Sequence, residues 1–518
     1  MKLYESLTPQ SSITSSNIFS FVKVGESFFN IMRSLGIRQI FGNPGTTELT
    51  FLKQIPKDFT YYLALHDGIS VGMAEGFYLA TRTPQVVNLH SSPGLTNSIS
   101  FIYEAYVSRI PLIIIVGQQY SNKLVDEPIL YGDFIKISSG VVKSAYEIRN
   151  EEEAIKLFIR AYKESITPPY GPVLLSLPLD VAEKEVKDYL QFPRHFVGSL
   201  CDDMSLEFIL NEINKAKSMA IVAGYEIGIF NAYEELMKFA EKLNVPVYNE
   251  PYMSISPYDS SHPLFMGSLS RYRASDILKE LEKYDLILVI GGWINYVVFP
   301  DVDLSKLNVI EITFDYKEAT RRPWSTVVCN PKDAIIKLSE KINRRFEFKR
   351  EERLDSVENT FLNDIFKEIK PYAENYVIFS EAPTHRDLLI KNIRLKPSSL
   401  YITRSGLLGW GLSAGVGYSL SGRKVLAIIG DGSFNYSPQA LWSSVRYNTV
   451  MKVLVINNRG YKSLARYNLN ADWLLPLTTP WKVALGYGFE AKELEDPKRD
   501  ISWLLGDNKR KLLEIILD

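Results

Sequence analysis

The feature that most constrains this chain is an apolar run, Val425–Gly430 (VLAIIG), that stops at Gly430-Asp431-Gly432-Ser433. A helix-like segment (PQALWSSVRYN) follows, then a second apolar run, KVLVIN, ending at Asn457-Asn458. Two apolar strands joined through a helix imply a parallel pair in an α/β sheet, and such sheets collect ligands at the carboxyl ends of their strands. Asp431 and Asn458 are therefore expected at neighbouring strand ends, a carboxylate and an amide oxygen facing one point. Hard oxygen donors of this kind suit Mg²⁺, which keeps phosphate and water in its shell. Gly430 and Gly432, lacking Cβ atoms, would let backbone N–H groups approach a phosphate.

The chain has 518 residues, too many for one core, and points to about three domains at ~150 residues each. A net charge of −1 without basic or acidic blocks gives no sign of nucleic-acid or membrane-surface partners. No apolar run reaches the ~20 residues needed to span a bilayer, and the Ser/Thr-rich first twenty residues lack the apolar centre of a signal peptide. They read as a poorly ordered or strapping extension. The two cysteines, Cys201 and Cys329, are too few for a disulfide framework or a zinc site and fit a reducing, cytoplasmic setting.

From residue 24 onward, apolar strands alternate with amphipathic helices, which implies parallel sheets covered on both faces. The first helix runs from about 24 and is capped by Gly36. RQIFG is a strand, NPG a turn, and Thr46 or Thr47 the expected N-cap of the next helix. YYLALHD is a strand leading into a helix whose Gly68, Gly72, Ala74 and Gly76 allow close approach. VVNLH is a strand, SSPG a turn, and PLIIIVG a further strand. The expected organisation is an extension at 1–23, α/β domains at 24–185 and 200–345, and a third at 356–518. The charged stretch 341–355 reads as a solvated helix and linker. The fold class is α/β with three doubly wound parallel-sheet domains, the first and third built on one plan.

Phe41-Gly42-Asn43-Pro44-Gly45, Asn88-Leu89-His90-Ser91, Gly117-Gln118-Gln119, Gly406-Leu407-Leu408-Gly409-Trp410 and GDGS…NN occur in the order and spacing of one family. Together they resemble the benzoylformate decarboxylase and acetolactate synthase branch of the thiamine diphosphate-dependent enzymes. The resemblance implies pyrimidine-binding, central and diphosphate-binding domains, with thiamine diphosphate and Mg²⁺ as cofactors. Asp431, Asn458 and the Gly460 carbonyl would ligate the metal. Ser433, Tyr461 and Thr384 would touch the cofactor. Leu408 would prop it in a bent shape, and the Gly406 carbonyl would accept from its 4′-amino group.

The family's activating glutamate is matched by Asp67, one methylene shorter and so roughly 1.5 Å less in reach. Gly68 would allow closer backbone approach, and the plain alternative is that Asp67 only caps the following helix. His90 matches a proton-transfer histidine, Thr46 the substrate-carboxylate hydroxyl, and Glu48 a nearby acidic position. His66 would face away from Asp67, and His385 would stand near the third domain's first strand end. A central-domain histidine of the family is missing, its stretch offering Asn295 or Tyr296 instead.

The implied cofactor position lies between the first domain of one subunit and the third of its partner, which requires at least a homodimer and commonly a dimer of dimers, a homotetramer. The implied reaction is decarboxylation or carboligation of a small 2-oxo acid through ylide and enamine intermediates, in the carbon–carbon lyase class. The alternatives are an acetolactate synthase or 2-hydroxyacyl-CoA lyase type of enzyme, whose central domain could bind a nucleotide, and a catalytically quiet thiamine diphosphate-binding regulatory protein.

Overall fold

The computed structural model describes residues 21–187, 195, 197, 198, 200–349, 360–465, 469, 471–475 and 478–517. It contains three six-stranded sheets, and within each the paired strands run parallel. In spatial order, the first sheet is Thr60–Leu63, Gln39–Asn43, Gln85–Leu89, Leu112–Gln118, Val173–Pro178 and Ser144–Glu147. The third is Leu400–Tyr401, Val377–Glu381, Val425–Gly430, Met451–Asn457, Lys511–Ile516 and Glu490–Glu493. Numbered by order in the chain, both read 2-1-3-4-6-5, which realises the common plan expected for these two domains. The central sheet, from Met219–Ala223 to Ser325–Val328, reads 3-2-1-4-5-6.

The strands are buried on both faces, as runs such as LIIIVGQ and VLAIIG require. The first and third domains share one apolar core, in which Phe41, Met73 and Phe101 join Phe379, Trp410 and Leu412. Its centre is the crossing of the helices Asp67–Thr81 and Trp410–Ser419. A Cβ on Gly76 would stand 1.8 Å from the Ala414 carbonyl oxygen, so only glycine permits this approach. Trp410 donates its indole N–H to buried Glu75 across the same crossing, at 2.9 Å.

The central domain is clamped to both neighbours by ion pairs. Arg109 of the first domain meets Asp315 at 2.6 Å, and Arg404 of the third meets Glu250 at 2.9 Å. The Arg404 guanidinium lies 4.0 Å from the ring centres of both Tyr225 and Trp293. Tyr225 and Trp293 lie just after the strands Met219–Ala223 and Leu286–Ile290, between which this strand order reverses.

Several local expectations change. The strand containing YYL ends at Leu63, and Asp67 already opens the next helix. Ser91-Ser92-Pro93-Gly94 is no free turn but the first turn of the helix Ser91–Val107, where proline is tolerated because the first N–H groups have no helical partner. The N-cap before Thr46 is Gly45, whose N–H donates to Glu48 at 2.7 Å. Residues 342–349 are not helical; Phe346 is buried and donates its N–H to Leu243. The rest of the charged stretch and residues 1–20 lie outside the described residues, while Phe21–Lys23 straps antiparallel onto Glu185–Lys187. Cys201 and Cys329 are joined in a disulfide, with Cα atoms 5.2 Å apart and a sequence separation of 128, a proximity that their spacing could not disclose.

Candidate active site

In the third domain the strand order reverses between Val377–Glu381 and Val425–Gly430. A cavity of about 100 Å³ opens at their carboxyl ends. Its lining brings together nine of the expected residues: Thr384, Leu408, Gly430, Asp431, Gly432, Ser433, Asn458, Gly460 and Tyr461. Gly430 pairs with Ile456 on the neighbouring strand, which sets Asp431 and Asn458 on adjacent strand ends.

GDGS is the junction of a strand with the short helix Asp431–Phe434. Burial pushes the Asp431 carboxyl above the usual carboxylate range, against the pull of N–H groups from Gly432, Gly460 and Asn458. A Cβ on Gly432 would stand 2.9 Å from the Tyr461 ring, so this glycine makes room for the tyrosine. Ser433 donates its hydroxyl to the Glu381 carbonyl at 3.1 Å. His385 also lines the cavity, its ring nitrogen 3.5 Å from the Asn458 amide nitrogen.

Asn458 Oδ1 is buried without a hydrogen-bond partner. A buried, unsatisfied acceptor beside a carboxylate is costly unless something fills it. Among the described residues no group of three His, Cys, Asp or Glu stands together as a metal cage. One carboxylate, one amide oxygen and one carbonyl instead suit a Mg²⁺ that takes its remaining ligands from phosphate and water. The residues present fit Mg²⁺ and a diphosphate.

Leu408 separates this cavity from a second one of about 200 Å³ that Gly406, Leu407 and Leu408 also line. The loop carrying them is held by Glu381, whose carboxylate accepts from the N–H groups of Gly409 and Gly411. Burial pushes the Glu381 carboxyl up to about 8.

The first domain builds a separate cluster at its own reversal point, after Gln39–Asn43 and Gln85–Leu89. His90 Nδ1 lies 3.0 Å from Glu48 and 3.2 Å from the Thr47 hydroxyl. Thr47 also bonds the Glu48 carboxylate. Thr46, the hydroxyl expected to meet the substrate carboxylate, is exposed, and its buried neighbour Thr47 is the one that reaches His90.

Asp67 is 7% exposed, and its Oδ1 has no hydrogen-bond partner. Burial pushes its carboxyl above the usual range, opposed by His66, Asn97 and the His90 N–H. Asp67 is not the helix cap. That place belongs to His66, whose Nδ1 accepts from the Gly68 N–H at 3.1 Å. Gly68 is small for a different reason than expected, since a Cβ there would stand 2.6 Å from the Phe101 ring. Among the described residues, neither cavity beside Leu408 is lined by any residue of the first domain.

Three family models match successive parts of the chain: "Thiamine pyrophosphate enzyme, N-terminal TPP binding domain" at 22–131, "central domain" at 206–338 and "C-terminal TPP binding domain" at 387–501. The chain is 30% identical over 496 residues to benzoylformate decarboxylase of Pseudomonas aeruginosa, covering 90% of this chain and 93% of that protein. It is 24% identical over 530 residues to the acetolactate synthase large subunit of Lactococcus lactis, covering 94% and 91%. Among solved structures, the thiamine diphosphate-dependent 4-hydroxybenzoylformate decarboxylase of Rhodococcus jostii superposes with a TM-score of 0.88 at 27% identity, covering 96% of this chain and 99% of that one. Benzoylformate decarboxylase from Polynucleobacter necessarius gives 0.88 at 29%, covering 96% and 98%.

Proposed function

The chain belongs to the thiamine pyrophosphate enzymes, and from that premise we propose that it is a Mg²⁺-dependent decarboxylase or carboligase of a 2-oxo acid. The observation that carries this reading is the pairing of Asp431 with Asn458, whose buried Oδ1 lacks a partner at the strand ends. Asp431, Asn458 and the Gly460 carbonyl would hold the metal, with Ser433, Tyr461 and Thr384 against the diphosphate. Leu408 and the Gly406 carbonyl would support the ring system. When bound, thiamine diphosphate supplies a carbon nucleophile and an acceptor for the electron pair released with carbon dioxide.

The chain's own residues supply the proton chemistry. Asp67 presents a buried carboxylate with one free oxygen, suited to hold a proton on a ring nitrogen. His90, oriented by Glu48 and Thr47, is suited to deliver a proton to the product. Because these groups stand apart from the Asp431 cavity, we place the complete site between two copies of the chain, with a homodimer as the smallest active unit.

The test is incubation with thiamine diphosphate, Mg²⁺ and a panel of 2-oxo acids, measuring carbon dioxide and ligation products. Release of carbon dioxide from at least one acid is expected. Cofactor binding with no product from any acid would overturn the reading.

A further inference from the structure

The cavity on the far side of Leu408 contains charge that nothing in the proposed mechanism uses. Arg271 and Arg386 both line it and are 5% and 3% exposed. Arg386 donates to the Pro251 carbonyl at 2.7 Å, while its Nε has no partner. Arg271 donates to the Tyr272 hydroxyl at 2.8 Å and to the Pro383 carbonyl. Neither forms an ion pair among the described residues. The acidic group in the wall, Glu381, is committed to two backbone N–H groups. Ser380, 2% exposed, also lines the cavity, with a hydroxyl that lacks a partner.

Burying one unpaired cation costs several kcal/mol, and two that repel each other cost more. The strain shows in Arg386, which burial and then the neighbouring Arg271 push down to about 10. Such an arrangement is stable in use when an anion from outside completes it. The cofactor's diphosphate is not that anion. The cavity holding Asp431, Ser433 and Asn458 has neither arginine in its lining, and the arginine cavity has none of those three.

We infer that Arg271, Arg386 and Ser380 receive a second carboxylate at the far end of the substrate, so that the favoured substrate is a short 2-oxo dicarboxylic acid. The inference rests on the proposed reaction only for the keto end of the molecule. A volume of about 200 Å³ is below the ~300 Å³ of a typical drug-sized site, which favours a short aliphatic chain.

The holoenzyme is tested with 2-oxoglutarate and with 5-methyl-2-oxohexanoate, which replaces the distal carboxylate by an isopropyl group of the same shape. The wild type is expected to prefer the dicarboxylate by about 10- to 100-fold in kcat/KM, the size of a charge-assisted contact. In Arg386→Met and Arg271→Met that preference should collapse, through a raised KM for the dicarboxylate. Arg386→Lys should recover part of it. Glutarate, which has no keto group, provides a readout independent of turnover. It should raise the unfolding temperature of the wild-type holoenzyme, not that of the Met variants, while thiamine diphosphate still binds to them. Turnover without preference and without a glutarate shift would overturn the anion site and leave the reaction intact. A glutarate shift that needs the arginines, with no turnover of any 2-oxo acid, would support the anion site and sink the reaction. Loss of thiamine diphosphate binding in folded Met variants would assign the arginines to the cofactor and overturn the inference.

Discussion

Glu48 holds Nδ1 of His90 at 3.0 Å, and the Thr47 hydroxyl bridges the pair. The two residues come from loops that follow neighbouring strands, so the sheet itself fixes their separation. A carboxylate on one ring nitrogen sets the tautomer and leaves Nε2 to face substrate. Replacing His90 by Ala is expected to lower kcat by about 10²- to 10⁴-fold. Glu48→Gln should lower it less, because the contact survives without its charge. Steady-state carbon dioxide release by the two variants, with cofactor affinity measured alongside, checks the order. Equal losses would contradict a positioning role for Glu48.

In the proposed site Asp431 and Asn458 would act on binding rather than on turnover. Asp431→Ala and Asn458→Ala should each weaken Mg²⁺-dependent thiamine diphosphate binding by about 10-fold or more, since each removes an oxygen donor of the proposed metal site. Titration of apo-protein with cofactor, followed by intrinsic fluorescence or calorimetry with and without Mg²⁺, makes the comparison.

Glu381 predicts how stability depends on pH. Burial holds its carboxyl at about 8, far above the ~4.3 of an unfolded chain. Between those values the folded state binds more protons than the unfolded state, so stability falls as pH rises and the loss levels off above 8. Glu226, also at about 8, adds to the same slope. The unfolding temperature of the apo-protein should therefore decline from pH 5 to pH 8.5. In Glu381→Gln the decline should be shallower, because one of the titrating groups is gone.

The disulfide between Cys201 and Cys329 closes a long loop around the central domain. Chain-entropy arguments give about 2–5 kcal/mol for such a link. Cys329→Ser, or addition of a reductant, is expected to lower the central domain's unfolding temperature by roughly 5–15 °C. Differential scanning calorimetry would show the shift in one transition while the merged first and third domains hold theirs.

What could be read from the sequence divides along physical lines. The strand-end residues were legible because a run such as VLAIIG followed by GDGS carries its own geometry: buried strand, abrupt stop, parallel neighbour. Gly432 was legible as a close-approach position, although the approaching group is Tyr461. The bond of Thr47 to Glu48 and its approach to His90 were not legible, because they depend on the rotation of a single 3₁₀ turn. Arg271 and Arg386 were missed for another reason. They lie in different domains, and only packing shows that both are buried at one cavity whose acidic group, Glu381, is bound to backbone N–H groups instead. Gly68 was legible as a close-approach position, but not that Phe101 is what approaches, because sequence shows which Cβ is missing and not what fills its place.

Asp67 offers the sharpest test of the proposed chemistry. Its Oδ1 is buried and unpartnered, its carboxyl is raised by burial, and the helix-cap role that would explain it otherwise is taken by His66. A buried carboxylate kept free at a cost is expected at a functional position. If it activates the cofactor, Asp67→Asn should slow exchange of the thiazolium C2 proton in the holoenzyme by about 10²-fold, the scale of a lost catalytic contact. Thiamine diphosphate affinity should change little, because on the proposed reading the diphosphate and metal would be held by the third domain. Proton-exchange NMR on quenched samples separates the two effects. Unchanged exchange in a folded, cofactor-loaded Asp67→Asn would remove Asp67 from the mechanism. Asp67→Glu gives the complementary measurement. A longer side chain has to pass Gly94, whose missing Cβ would stand 2.7 Å from the Asp67 oxygen. Gly94 is therefore what leaves space beside the Asp67 carboxyl, and an exchange rate for Asp67→Glu at or above that of the wild type would show that a carboxylate at this position serves the cofactor.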